Sequence, residues 1–581
     1  MNIIGINAFH GDSSACLIID GKIVSAVEEE RFTRIKHWAG FPKMSIEFCL
    51  SNSNLKISDI DFISINRDNY ANILRKIAYS VTKKPSLKLI IERIKNRKQW
   101  SSLDKLVKNN FPNDYFKGKI INVEHHLSHL SSAFHLSPFK NSCIISVDGF
   151  GDFTSTAFGF GSETKIKIDS KIFFPHSLGV FYEAITRYLG FKNYGDEYKV
   201  MGLAPYGRPN YLDKLNNLIS LKKNGKFKLN LEYFLFHKTK QYETINNQIV
   251  TGQIFSDKLI ELMGPPRNKD EEITQFHKDI ASTAQKIYEE TFFHSLNYLY
   301  EKYNNENICI SGGCGMNSVA NGKIRKNTKF KNIYIQSAAG DAGGALGSAL
   351  ITHYKHSKSN ERFFMSHSYL GNEFTYDYIK KLCEKNNEFF KKETFKYKFY
   401  NNFNELTKSI ANEISEGKVI GWFQDKMEWG PRALGNRSIL GDPRNPKMKD
   451  ILNLKIKRRE SFRPFAPSII REYVADWFET EDEVPFMMKV YQIKEDKRKL
   501  IPAVTHVDGS GRLQTVRKEN NEKYYNLINE FYKITNIPIL LNTSFNENEP
   551  IVCKPEEALN CFKRTKMDIL VMGSFVISRS K

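Results

Sequence analysis

The chain reads as an α/β protein of two domains, on three observations. Two strand–glycine–helix units stand in series, NICISGGCGMNSVANGKI at 307–324 and NIYIQSAAGDAGGALGSAL at 332–350. The chain opens on a meander of short apolar runs, NIIGINA, ACLIID and KIVSAVEEE, joined by polar turns. Its 581 residues are too many for one core, and the composition changes to Lys/Asn-rich sequence between 355 and 375. We therefore expect a domain over 1–360 and a second over 361–581.

Composition narrows the class. Hydrophobic content of 41% with 13% aromatics argues against disorder. The net charge is 86 − 65 = +21. The cations are dispersed, so they read as a Lys-rich chain rather than as a footprint for nucleic acid. The eight cysteines include no CxxC pair, which excludes a zinc ribbon and a dithiol redox motif. Most lie in apolar runs and read as buried thiols of a reducing compartment. The first residues lack the basic region and cleavage site of a signal peptide, and no apolar run reaches membrane-spanning length. A cytoplasmic location follows as the expectation.

Within the first domain, the tip between the first two strands reads His10-Gly11-Asp12-Ser13-Ser14. A short polar tip of this kind suits a ligand contact as well as an ordinary hairpin turn. Residues 83–108 are basic and helical in pattern, a solvated helix first and an anionic contact second. At 119–150 a strand leads into EHHLSHLSSAFH, where His125 and His129 are four apart and share a helix face. That spacing lets two imidazoles hold one metal ion, and the strand CIISVDGFGD then brings Asp148 as a third donor. GDEYK reads as a loop bearing Asp196, Glu197 and Lys199, and 208–275 as irregular peripheral sequence. The turns after the two later strands carry Gly312 and Gly313, which let backbone N–H groups approach an anion, and Asp341.

In the second domain, residues 428–465 are the most informative. Arg432, Arg437, Arg444, Lys455, Lys457, Arg458, Arg459 and Arg463 fall on turn-forming sequence, among Gly430-Pro431, Gly435-Asn436 and Asp442-Pro443. Cations fixed on turns suit a polyanion pocket; a solvated basic loop is the plainer alternative. Arg512 sits on a strand in THVDGSGRLQTV, and a buried strand ends in Asn542, Thr543, Ser544 and Asn546.

Taken together, these residues resemble the O-carbamoyltransferase family of nodulation-factor, cephalosporin and tobramycin enzymes. The resemblance spans essentially the whole chain through VEEERFTRIKH, HHLSHLSSAF, GDEYKVMGLAPYG, ISGGCGMN, GDAGGALGSA, GPRALGNRSIL, KRRESFRPFAPSI, HVDGSGRLQTV and LNTSFN. It implies an N-terminal domain of the actin/sugar-kinase superfamily and a C-terminal domain similar to YrdC. The implied chemistry joins carbamoyl phosphate and ATP into O-carbamoyladenylate, then moves the carbamoyl group to a hydroxyl. By motif, Arg432, Lys457, Arg463, Arg512, Asn542 and Ser544 would line the first site, with Lys457 and Arg463 closest to the chemistry. His125, His129, Asp148 and Asp341 would hold a metal, Fe(II) being the expected ion, with Mg(II) the ordinary companion of ATP. Gly312, Gly313 and Asn317 would contact nucleotide. Many members read His-Asp at the first tip; here Gly11 intervenes, and His10 with Asp12 is the expected catalytic pair.

The nearest alternative is an enzyme forming threonylcarbamoyl-adenosine in tRNA, which shares both domain types. The GPRAL and RRESFRPF motifs argue for O-carbamoyl transfer instead. A hydrogenase-maturation HypF would need an acylphosphatase domain and CxxC fingers, which this sequence lacks. The acceptor is a sugar or natural-product hydroxyl, unidentified by sequence, and a homodimer is one assembly left open.

Overall fold

The computed structural model describes residues 1–83, 103–239, 242–392 and 395–579. Most of the basic stretch at 83–108 lies outside the described residues. The chain divides into two compact units, Met1–Asn317 with Lys323–Met365, and Ser318–Gly322 with Ser366–Lys581.

In the first unit one topology occurs twice. The first sheet contains β1 (Asn2–Asn7), β2 (Ser14–Ile19), β3 (Lys22–Glu28), β4 (Phe62–Ile65) and β5 (Lys119–Asn122), in the order β3-β2-β1-β4-β5. The second contains β6 (Asn141–Gly151), β7 (Thr154–Ser162) and β8 (Lys165–Phe173). Between them and its last two strands run two small hairpins, β9 (Ile219–Leu221) with β10 (Phe227–Leu229), and β11 (Tyr242–Ile245) with β12 (Gln248–Thr251). The sheet is completed by β13 (Asn307–Ser311) and β14 (Asn332–Tyr334), in the order β14-β13-β6-β7-β8. In both sheets the first three strands form an antiparallel meander, and the last two add parallel to the first strand. This doubled meander-plus-parallel core is the architecture expected of an actin/sugar-kinase-type domain.

The sequence dictates this arrangement locally. β1 is buried along nearly its whole length, as a strand covered on both faces requires. The helix Gly343–His356 packs on it and on the helix His125–Phe134. The parallel strands all end on one side of their sheets in sequence terms: His10 follows β1, His125 follows β5, Gly312 follows β13 and Asp341 follows β14. Ligands gather outside the carboxyl ends of such strands.

Two local expectations change. Residues 197–203 form a helix, Glu197–Leu203, rather than a loop; Lys199 reaches back one turn to Asp196 at 3.1 Å. The region 208–275 is not irregular but carries the two hairpins and the helix Asp257–Met263. A 29-residue helix then runs from Gln275 to Tyr303.

The second unit is built on one nine-stranded mixed sheet. Its strands are β15 (Phe395–Phe399), β16 (Ile420–Phe423), β17 (Arg437–Gly441), β18 (Ala466–Ile470), β19 (Lys489–Gln492), β20 (Ser510–Val516), β21 (Ile539–Ser544), β22 (Ile569–Met572) and β23 (Phe575–Arg579). Their order is β15-β23-β22-β16-β17-β21-β18-β20-β19. β23 returns antiparallel beside β22 through Gly573, whose φ is +56°. Trp422, Leu440, Ile469, Leu541 and Val571 are fully buried in its core. Among the described residues, no helix is long and apolar enough to cross a membrane.

Candidate functional sites

The first unit brings His125, His129, Asp148 and Asp341 together, with one donor atom from each lying within 4.8 Å of the others. Glu124 starts the histidine helix by accepting from Leu127 N at 2.8 Å, so His125 and His129 fall one turn apart. Asp148 Oδ2 lies 3.2 Å from His125 Nε2 and 3.5 Å from His129 Nε2. Asp341 Oδ1 lies 3.5 and 3.4 Å from the same two nitrogens. The two imidazole Nε2 atoms are themselves 3.0 Å apart. Both histidines are fully buried, and Asp341 Oδ1 is buried without a hydrogen-bond partner. Burial opposes charge on His129, yet the Asp148 and Asp341 carboxylates carry it up to about 10. The hydrogen bonds from the two imidazoles hold Asp148 well below the usual carboxylate range against its burial.

Four convergent donors, two neutral-capable nitrogens and two carboxylates, fit a first-row transition metal. Such an ion would be held by His125, His129, Asp148 and Asp341. The neighbouring histidines have other duties. His126 bonds Ser146 Oγ at 2.7 Å and Thr154 O at 3.0 Å, and His135 bonds Ser131 Oγ at 2.8 Å.

The glycine turn lies beside this cluster. Gly312 has φ +86°, and a Cβ there would meet Val147 O at 2.2 Å. Gly313 N donates to Asp148 Oδ1 at 2.8 Å, which orients that carboxylate. Asn317 exchanges two hydrogen bonds with Gln285, at 3.0 and 3.1 Å. The His10 ring stands 5.9 Å from the His125 ring. Asp12 does not join His10 as the sequence suggested: its Oδ1 is 2.8 Å from His37 Nδ1.

In the second unit, Glu428 builds the GPRALGNR loop. Its Oε1 accepts from the backbone N–H groups of Leu434, Asn436 and Arg437 at 2.7, 2.8 and 3.1 Å. Gly435, at φ +111°, lies so close to Tyr524 that a Cβ would meet the ring at 2.2 Å. Arg437 is fully buried and donates to the carbonyls of Gln424, Asn436, Asn372 and Asp425, so it braces the loop from within. Burial lowers it to about 10. Arg444 pairs with Asp442 at 2.7 Å and Lys455 with Asp568 at 2.8 Å.

The cations that converge are Arg432, Arg459, Arg463 and Arg512. Burial first, and then the charges of Arg432, Arg459 and Arg463, push Arg512 well below the ordinary guanidinium. Arg512 Nε and Asn542 Oδ1 are buried without hydrogen-bond partners. Asn542 Nδ2 donates to Gln514 Oε1 at 2.8 Å. Lys457 takes another place than expected. It is 1% exposed, and its ammonium donates to Ser544 O at 2.6 Å and to Asn546 O and Oδ1 at 2.8 and 2.7 Å. Ser544 Oγ in turn donates to Asn546 Oδ1 at 2.9 Å. Lys457 and Ser544 thus brace the turn after β21.

Two residues of this cluster escaped the sequence reading as ligand contacts. Arg459 follows a π-helical turn, Asn453–Lys457, and Arg458 in left-handed conformation at φ +44°, which redirects the chain after Lys457. Its guanidinium lies 4.5 Å over the Phe465 ring. His506 has its Nε2 buried without a partner and is lowered to about 4 by burial, with Arg512 and Lys449 adding to the shift. The signal for both was present, in RRESFRPF and THVDGSGRL, but nothing local marks which way they face.

The family model for the carbamoyltransferase N-terminus matches residues 2–350, and that for the carbamoyltransferase C-terminus matches 411–579. The chain belongs to the carbamoyltransferase family. This carbamoyltransferase is 37% identical to nodulation protein NolNO of Sinorhizobium fredii, over 99% of its own length and 80% of that protein. It is 37% identical to nodulation protein NolO of Bradyrhizobium diazoefficiens over 79% of each chain. An uncharacterised Synechocystis protein is 40% identical across all of this carbamoyltransferase and 97% of that protein. Among solved structures, HypF of T. kodakarensis covers 61% of this chain and 47% of its own at 14% identity, with a TM-score of 0.30, too low to argue from. Carbamoyl transfer is accordingly the chemistry of this enzyme.

Proposed function

We propose that this carbamoyltransferase works in two chemical steps, one in each unit. In the second unit, water cleaves carbamoyl phosphate to carbamate and phosphate, and a carbamate oxygen attacks the α-phosphate of ATP to form O-carbamoyladenylate as pyrophosphate leaves. In the first unit, a sugar or natural-product hydroxyl attacks the carbamoyl carbon and AMP leaves. The observation that carries this reading is the convergence of Arg432, Arg459 and Arg463 on Arg512. These half-buried cations lie near enough to Arg512 to repel it, and a bound polyanion relieves that repulsion. Carbamate attack on an α-phosphate brings anions together, and preorganised cations lower the barrier to it.

Asn542 and Arg512 each aim a buried, unpartnered atom within this region, and a ligand amide or phosphate oxygen would complete them. Lys457 and Ser544 enter as braces of the turn that carries Asn546. In the first unit, His125, His129, Asp148 and Asp341 would hold the metal, Fe(II) on the family resemblance. A metal there supplies Lewis acidity toward phosphoryl or carbonyl oxygens. Gly312, Gly313 and Asn317 offer the nucleotide a glycine turn, and His10 faces the metal cluster. The family resemblance implies a sugar or natural-product hydroxyl as the acceptor.

The deciding measurement is pyrophosphate release from ATP by the purified full chain, with and without carbamoyl phosphate. Release that depends on carbamoyl phosphate supports the first step; none, with the arginines intact, sinks it. A screen of hydroxyl compounds by mass for the gain of one carbamoyl group then identifies the acceptor.

A further inference from the structure

The first unit carries a second constellation that the metal cluster does not use. Asp12 sits in left-handed conformation at φ +58°, uncommon for a residue other than glycine. Asn7 Nδ2 fixes the tip by donating to Gly11 O at 3.0 Å and Asp12 O at 2.9 Å. That backbone turns the Asp12 carboxylate onto His37 Nδ1 at 2.8 Å. His37 comes from the far end of the segment after β3, and its own N–H donates to Glu30 Oε2 at 2.9 Å. With Nδ1–H given to Asp12, the neutral imidazole presents its lone pair at Nε2.

The surroundings keep Nε2 approachable. Gly195, at φ +82°, lies against it, and a Cβ there would meet Nε2 at 2.6 Å. About one third of the His37 side chain, 33%, remains exposed. Tyr194 packs edge-on against His37 with ring centroids 5.3 Å apart. The same phenol is raised by burial first and then by the charges of Asp341, Asp12 and Asp148. His10 and Asp12 are two residues apart, about 7 Å of chain at most. One tip therefore touches both the cluster, through His10, and the dyad, through Asp12.

We propose that His37, held by Asp12, is the base that takes the proton from the acceptor hydroxyl. The inference rests on the two-step reading above. The hydroxyl oxygen bonds to the carbamoyl carbon as its proton passes to His37 Nε2. The carbon–oxygen bond to the phosphate breaks, and AMP leaves with that electron pair. Asp12 stabilises the imidazolium and is a positioning residue. The groups facing His37 are Asp12, Glu30, Lys36, Glu197 and Tyr194. Burial and Lys36 work against its protonation, but Asp12 and then Glu30 outweigh them and carry it up to about 9. A base so placed gives a rate that rises with pH.

The test uses the full chain as wild type, His37→Gln and Asp12→Asn, with carbamoyl phosphate, ATP, and water and glycerol as hydroxyl probes. The pyrophosphate burst reads the first step, and AMP release reads the second. His37→Gln is expected to slow AMP release by about 100-fold or more and to leave the burst in place. Asp12→Asn is expected to move the rising limb of the pH profile of AMP release from near 9 toward the ordinary imidazole value of 6.5. The imidazole NMR signal assigned by its loss in His37→Gln should shift in the same way. A missing burst in the wild type strikes the two-step reading. A normal burst with AMP release equal in wild type and His37→Gln overturns the base alone. A His37 signal that titrates near 6.5 and ignores Asp12→Asn overturns the dyad.

Discussion

The two candidate sites solve the problem of buried charge in opposite ways. In the first unit, two imidazoles and two carboxylates balance one another within 4.8 Å, and the site is neutral-capable as it stands. In the second, Arg432, Arg459 and Arg463 load positive charge around Arg512 and lower it well below the ordinary guanidinium, with Glu460, 3.4 Å from Arg463, offsetting part of that charge. On the proposed function, the first would take a cation that replaces protons on its ligands, and the second a polyanion. The difference teaches where binding is ordered: a mixed cluster is organised before its ion arrives, whereas a mostly cationic cluster is strained until its ligand arrives.

The sharpest way to break this comparison is to remove one member of each cluster. His129→Ala or Asp341→Ala should abolish carbamoyl transfer while pyrophosphate release continues; metal content of the purified variants should fall with the transfer. Loss of pyrophosphate release instead would merge the two sites into one. Arg463→Ala or Arg512→Ala should lower carbamoyl-phosphate-dependent pyrophosphate release by roughly 10²–10³-fold. Retained release in both would make the cluster structural.

Arg437→Ala tests whether the two kinds of arginine in one loop differ. Removing the buried guanidinium orphans several carbonyls, and an effect on the order of 3 kcal/mol in denaturant unfolding is expected. Arg432→Ala, on the same loop, should leave unfolding nearly unchanged while reducing pyrophosphate release.

The smallest expected effect belongs to the Asp12–His37 pair. Its imidazole is raised in the folded state, so the stability it contributes is full below the unfolded value near 6.5 and is lost as pH rises through about 9. With a third of the imidazole in solvent the contribution is about 1 kcal/mol or less. Asp12→Asn should flatten unfolding stability between those two pH values; an unchanged slope would remove the pair from the stability of the fold.

The metal cluster was legible because its first two donors are one helical turn apart and its third ends an apolar strand, both local patterns. Asp341 came only with the resemblance, since a lone aspartate in a glycine turn has no spacing to argue from. In the second unit the stretch 428–465 was legible as a cation-bearing loop, but its members divide by role. Arg437 braces, Lys457 is engaged by Ser544 and Asn546, and Arg459 joins the cluster in its place. A π-helical turn and one left-handed residue decide that exchange, and neither has a compositional mark. The same holds for Asp12: its pairing with His37, 25 positions later, depends on a positive φ at the tip.

By itself the sequence determined the α/β class, the helical pairing of His125 with His129 and the presence of a cationic loop, because each follows from periodicity or composition within a few residues. Only the tertiary structure decided which four arginines converge, that Lys457 turns inward, and that Asp12 belongs to His37 rather than His10. Those outcomes hang on backbone reversals and on contacts between segments far apart in the chain, where a rotation at one residue sends a side chain to the other side of the loop.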